Sequence, residues 1–234
     1  AKTAYGIFDS AVNNAGIVRA VSAVQRGGVI RLMASNPVEN TGRTGAQNNL
    51  GKVQDAQGVV MHSGVLDVSA GEAGAAAGEV TLAGERVGVT GMIDAAGGGR
   101  VLVTSTDLTV VTKTSSIHTS GQGAGSGGNV VIWSDNATLY EGSLSARGGA
   151  AGGDAGNAEI SGYEDLGYRG KVDLSAPAGR SGNLLLDPAT LQVTGGVSDG
   201  SDNTNASAFQ LINDAGSNIL GTIQVADEGA GAPN

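Results

Sequence analysis

The chain has 234 residues, 40% of them hydrophobic, enough for a real core, but 41 are Gly, 4 are Pro, and the aromatics are 1 Trp, 4 Tyr and 2 Phe. Such a core must be assembled from Val, Ile, Leu and Ala in narrow layers, which suits stacked repeats better than a globule. The net charge of −9 and pI near 4.5 argue against a nucleic-acid partner, since the 13 Lys and Arg are scattered, and zero Cys removes disulfides, thiolate metal sites and thiol nucleophiles.

In chain order, Gly16-Ile17-Val18-Arg19-Ala20 and Gly28-Val29-Ile30-Arg31-Leu32 open the sequence as two short strand phrases within a first unit, residues 1–35. The Asn/Gln/Gly-rich stretch 36–57 loses the phrase and reads as a loop or irregular coil. From 58 to 190 a three-strand cycle recurs about every 25 residues. Its first strand is Val68-Ser69-Ala70, Ile93-Asp94-Ala95, Ile117-His118-Thr119, Leu144-Ser145-Ala146 and Leu174-Ser175-Ala176. A Gly-rich turn leads to the second: Val80-Thr81-Leu82, Val101-Leu102-Val103, Val130-Val131-Ile132, Ala158-Glu159-Ile160 and Leu184-Leu185-Leu186. A weaker third appears at Val87-Gly88-Val89, Leu108-Thr109-Val110, Leu139-Tyr140 and Leu166-Gly167-Tyr168.

Side chains alternate along a strand, so the outer members of each triplet are expected to face inward and the middle member outward. Strands this short bury a face only if the next cycle stacks on them in parallel, at ~4.8 Å per layer. The expected fold is therefore all-β, a parallel β-helix with three faces. The final unit, 191–234, predicts a polar loop, a short helix over 206–215 before Gly216, and a last strand from Ile219 to Val225.

No apolar run reaches the roughly 18 residues of a membrane span, so no transmembrane segment is expected. The opening Ala1-Lys2-Thr3-Ala4 has neither an initiator Met nor a signal sequence, which suggests a piece of a longer protein.

The phrases Gly127-Gly128-Asn129-Val130-Val131-Ile132-Trp133-Ser134-Asp135, Ser145-Ala146-Arg147-Gly148-Gly149-Ala150-Ala151-Gly152-Gly153 and Val172-Asp173-Leu174-Ser175-Ala176-Pro177 through Leu184-Leu185-Leu186-Asp187-Pro188 resemble the large exoproteins of two-partner secretion, the filamentous-haemagglutinin type. The resemblance spans about residues 10 to 225 and is most specific from 127 to 188. It implies a right-handed β-helix, the shaft of a secreted or surface-bound bacterial adhesin, exported through an outer-membrane partner pore and serving adhesion or a biofilm matrix. Some members acquire haem or bind host carrier proteins, which is the alternative reading; a host receptor or exopolysaccharide is the implied kind of ligand. The family's secretion signal carries Asn-Pro-Asn, whereas Asn36-Pro37-Val38 lacks the third residue and is not assigned that role.

Stacked in register, Ser69, Asp94, His118, Ser145 and Ser175 form one outward ladder in which Asp94, His118 and Ser145 superficially suggest a hydrolytic triad. A flat exposed ladder supplies neither an oriented base nor an oxyanion hole, so no catalytic residue is expected, and a polysaccharide-active β-helix enzyme ranks last among the readings. His62 reads as a turn or surface residue. The outward row Thr81, Leu102, Val131, Glu159, Leu185, with Trp133 one step on, is unusually apolar, so Leu102, Val131 and Trp133 are candidates for a covered or partner-binding surface. The expected cover is the chain itself, through 36–57 or the C-terminal helix. Asp199, Ser201, Asn203 and Asn205 have the alternate spacing of a calcium loop, but with one formal charge they predict weak or no binding. No cofactor is expected.

Overall fold

The computed structural model describes residues 11–20, 28–34, 58–71 and 75–188, with two further strands at Gln192–Thr194 and Gln224–Ala226. The chain begins with β1 (Ala11–Asn14), β2 (Ile17–Arg19) and β3 (Val29–Met33). After these come β4 (Val59–His62), β5 (Val65–Asp67), the long β6 (Glu79–Val89), β7 (Met92–Asp94), the long β8 (Arg100–Val111) and β9 (Ser116–His118). Then follow β10 (Asn129–Ser134), β11 (Ala137–Tyr140), β12 (Ser143–Ser145), β13 (Asn157–Gly162), β14 (Asp165–Tyr168), β15 (Lys171–Asp173) and β16 (Leu184–Leu186). Strands β17 (Gln192–Thr194) and β18 (Gln224–Ala226) pair only with each other. Among the described residues there is no helix; the helix expected over 206–215 lies outside them.

The strands form two large parallel sheets between which the chain shuttles. A six-stranded sheet has the order β15-β12-β9-β7-β5-β2, and a ten-stranded sheet carries the path β1-β4-β6-β8-β10-β13-β16 with β3, β11 and β14 attached. Parallel neighbours cannot be joined by a tight hairpin. Each return to the same sheet position therefore follows an excursion through the other sheet.

In the second-strand set the register is the one the sequence pattern predicts. Leu82, Val103, Ile132, Ile160 and Leu186 are Cα partners in successive strands, and the first four are fully buried. The first-strand set agrees at its centre, where Asp94, His118 and Ser145 are successive partners, but differs at both ends. Asp67 and Asp173, rather than Ser69 and Ser175, occupy the outward positions. In both places the Asp Oδ1 accepts from the amide of the Ser two residues on at 3.0 Å and from its hydroxyl at 2.7 Å, so the Ser belongs to the turn after the strand.

The third-strand set has the expected register at Val87-Gly88-Val89 and Leu166-Gly167-Tyr168, and is corrected by one residue at Leu108-Thr109-Val110. Thr109 and Val111 are fully buried, while Leu108 and Val110 face outward and are only half-buried. A hydroxyl can occupy this inward position because the bend beside it supplies acceptors: Thr109 Oγ1 donates to the Trp133 carbonyl at 3.2 Å, and in the next layer Thr138 Oγ1 donates to the Ser161 carbonyl at 2.7 Å.

Two glycine columns set the entry to the strands. Gly28, Gly78, Gly99, Gly128, Gly156 and Gly182 precede the second set, and a methyl group on Gly128, Gly156 or Gly182 would overlap the carbonyl oxygen of the glycine one layer before it. Gly16, Gly64, Gly91, Gly142 and Gly170 precede the first set; a methyl group on Gly64 or Gly91 would overlap the carbonyl oxygen of the glycine one layer before it, one on Gly142 or Gly170 would strike the Ser115 hydroxyl or the Tyr140 ring, and Gly16 alone has open space around it. The requirement at the other positions is space, since their φ angles are not in the left-handed region. Ser115 takes the glycine's place once, with Oγ donating to the Thr112 carbonyl at 2.6 Å, in a corner lengthened by exposed Lys113 and Thr114.

Candidate functional site

The outward ladder of the six-stranded sheet runs Arg19, Asp67, Asp94, His118, Ser145, Asp173. Asp94, His118 and Ser145 therefore do stand in adjacent strands, but their hydrogen bonds run elsewhere. Ser145 Oγ pairs with Ser120 Oγ at 2.9 Å, and Asp94 Oδ1 accepts from the Ala96 amide at 3.0 Å. A nucleophile bonded to a second serine and an acid spent on a turn amide do not make a relay.

The carboxylates of this ladder act as fasteners. Burial disfavours the charge of Asp67, yet hydrogen bonds from Ser69 and Arg19 hold its carboxyl below the usual range; Ser69 contributes most among them. Bonds from Ser175, with Arg147 nearby, hold Asp173 low in the same way. Arg19 Nε reaches Asp67 at 2.7 Å and Arg180 Nη2 reaches Asp154 at 2.6 Å, each tying one layer to the next. The arginines of these pairs are largely exposed, so each pair adds little stability.

His62 is not a surface residue. It is fully buried, in line with Asn14 on one side and with Val89, Val111, Tyr140 and Tyr168 on the other. Its Nε2 donates to the Met92 carbonyl at 3.0 Å and its Nδ1 accepts from Asn14 Nδ2 at 3.2 Å, an arrangement that requires the neutral ring. Burial lowers its pKa, and hydrogen bonds to Met92 and Asn14 offset only part of that. Sequence reasoning missed this because histidine carries no hydropathy signal; the available clue was the two-residue spacing from Val60, which is also inward and fully buried.

On the outer side of the second-strand set, Leu102 and Trp133 are buried within the chain at 9% and 6% exposure, and Val131 is half-buried. Trp133 Nε1 donates to Asp135 Oδ1 at 2.9 Å. Neither Leu102 nor Trp133 is therefore an open docking surface. The segments expected to cover them, and the loop carrying Asp199, Ser201, Asn203 and Asn205, lie outside the described residues. Among the described residues no group of three or more His, Asp or Glu side chains is placed to hold a metal ion, and no helix is long and apolar enough to cross a membrane.

The third-strand set presents a different outer surface. Its outward side chains form two rows: Val59, Arg86, Leu108, Ala137 and Asp165, and beside them Met61, Gly88, Val110, Leu139 and Gly167. Val59 and Met61 are 37% and 41% exposed. No protein-family model, curated protein or solved structure matches the chain.

Proposed function

We propose that the chain is a segment of a right-handed, three-faced parallel β-helix, part of the shaft of a secreted bacterial exoprotein of the filamentous-haemagglutinin type. In this reading it leaves the cell through an outer-membrane partner pore and acts as a structural element in adhesion or the biofilm matrix, without catalysis. The observation that carries the reading is the sustained parallel pairing of one strand position, Leu66 to Ile93 to Ile117 to Leu144 to Val172, with an excursion through the other sheet between each. Parallel crossovers of this kind are right-handed almost without exception. The glycine columns add support, because a backbone packed against its own previous layer is what a stack demands and a globule does not.

Deletion of a whole layer tests the architecture. Met92 and Ser116 are Cα partners, so removing residues 92–115 joins Gly91 to the equivalent point one layer on. The shortened chain is expected to unfold cooperatively with retained β-sheet circular dichroism; an unfolded product would count against a stack of equivalent layers. For the role, cells lacking the open reading frame are expected to lose surface adhesion or biofilm mass and to regain it on complementation. Unchanged adhesion, with the protein verified on the wild-type surface, would sink the adhesive reading.

A further inference from the structure

The outer row of the third-strand set has no polar side chain from Met61 to Gly167. Its glycines leave no pits: the Met61 thioether lies over Gly88 and a Leu139 methyl lies against Gly167. The result is an apolar strip on a parallel sheet, with Val110 and Leu139 half-buried and Met61 exposed. Apolar side chains aligned along a sheet's outer side are the inner face of a sandwich that lacks its second sheet.

We propose that this face pairs with the same face of a second copy of the chain, about a twofold axis running along the direction in which the strands stack. Charge selects both the occupant and the axis. On the flank where the third-set strands begin stand Glu85, Asp107, Glu164 and Asp165; the basic residue there, Arg86, is bound to Asp107 at 2.7 Å. The flank where they end carries Lys113 and Arg169, with Glu141 between them in the stack; Arg169 is 74% exposed and 3.9 Å from Glu141. A twofold axis along the stack turns the acidic flank of one copy onto the basic flank of the other and keeps the layers level, so Glu164 faces Arg169 of the second copy. An axis along the strands would set like charge on like. A self-complementary patch of this kind is what an isologous dimer requires.

The strip is small. Five layers at ~4.8 Å and four residues at ~3.3 Å, a footprint that takes in the neighbouring row with Arg86 and Asp165, give about 24 by 13 Å, or on the order of 600 Å² buried over two copies. That is below the size of a stable interface, so the dimer is a weak one.

The test is sedimentation of the 234-residue chain across roughly 5 μM to 1 mM at low salt, a range that reaches the millimolar constants of weak association. A concentration-dependent monomer–dimer equilibrium is expected. Leu139→Glu places a charge on the outward side and leaves the core alone, so its thermal unfolding should match wild type while dimerisation weakens at least tenfold. Glu164→Arg and Arg169→Glu should each weaken dimerisation, and the two together should restore it. A chain that stays monomeric at the highest concentration overturns the proposal, including the case in which the face captures only some other partner. So does a dimer indifferent to Leu139→Glu, and failure of the double reversal overturns the axis.

Discussion

Two inward columns run through the same ten-stranded sheet and solve the same packing problem with different chemistry. Leu82, Val103, Ile132 and Ile160 are aliphatic throughout and fully buried, and need nothing from their neighbours except shape. The column Asn14, His62, Val89, Val111, Tyr140, Tyr168 mixes polar and apolar groups, and each polar atom must find its partner within the stack. His62 finds Met92 and Asn14, and the Tyr140 hydroxyl donates to the Lys171 carbonyl at 3.2 Å. The Tyr140 and Tyr168 rings stack with centroids 5.6 Å apart. Parallel layers thus accept a polar side chain where the end of a strand in the other sheet offers a carbonyl acceptor.

The sharpest way to break this comparison is to force polarity into the aliphatic column. Ile132→Asp leaves a carboxyl without a partner between Val103 and Ile160, and should cost several kcal/mol, enough to unfold a marginal chain. A melting temperature near wild type would contradict the inward placement of Ile132. In the mixed column the largest effect is volume: Tyr140→Ala should cost about 3–5 kcal/mol in a urea titration. Tyr140→Phe keeps the ring and loses one hydrogen bond, so about 1 kcal/mol is expected. A Phe variant as damaged as the Ala variant would mean that the hydroxyl, not the stack, holds the column.

The pH dependence sharpens the comparison further. Because burial lowers the His62 pKa, the unfolded chain takes up a proton near pH 6.5 while the folded chain still refuses it. Stability from the neutral ring is complete above about pH 6.5 and falls as the pH drops toward the lowered folded value. Urea midpoints measured from pH 7.5 to 4.5 should decline over that window, and His62→Gln should flatten the decline. The lowered carboxyls of Asp67 and Asp173 give a separate loss at more acidic pH, below their ordinary range. The smallest effect expected is a gain. Thr119, just after β9, is buried with a hydroxyl that has no hydrogen-bond partner, so Thr119→Val should stabilise the chain by about 1 kcal/mol. A loss of similar size would show that the hydroxyl is satisfied after all.

How far the sequence revealed the structure follows the same division. Where an aliphatic, any residue, aliphatic pattern repeats without competition, as at Val101-Leu102-Val103 and Val130-Val131-Ile132, the register can be read directly, and it is the observed one. Where hydrogen bonding rather than hydropathy places a residue, pattern matching slips. Thr109 goes inward ahead of Leu108 because the Trp133 carbonyl accepts from it, and Ser69 leaves the ladder because Asp67 claims it for a turn. The candidate surfaces were legible only as rows. That Leu102 and Trp133 are buried whereas Met61 is open depends on how whole segments lie, which no local pattern records.

The corner at Lys113, Thr114 and Ser115 separates two kinds of tolerance. Substitution is restricted at the neighbouring glycines: one methyl group would strike the Gly64 carbonyl from Gly91 and the Ser115 hydroxyl from Gly142. Added length is accommodated: two extra residues bulge into solvent, Thr114 Oγ1 donates to the Thr90 carbonyl at 3.1 Å, and the strands on either side keep their pairing, with Val111 opposite Val89 and Ser116 opposite Met92. A chain built this way can acquire new surface by inserting loops at corners long before it can change the residues of its layers. Grafting a peptide epitope between Lys113 and Thr114 is therefore the least disruptive way to give this scaffold a binding specificity of choice.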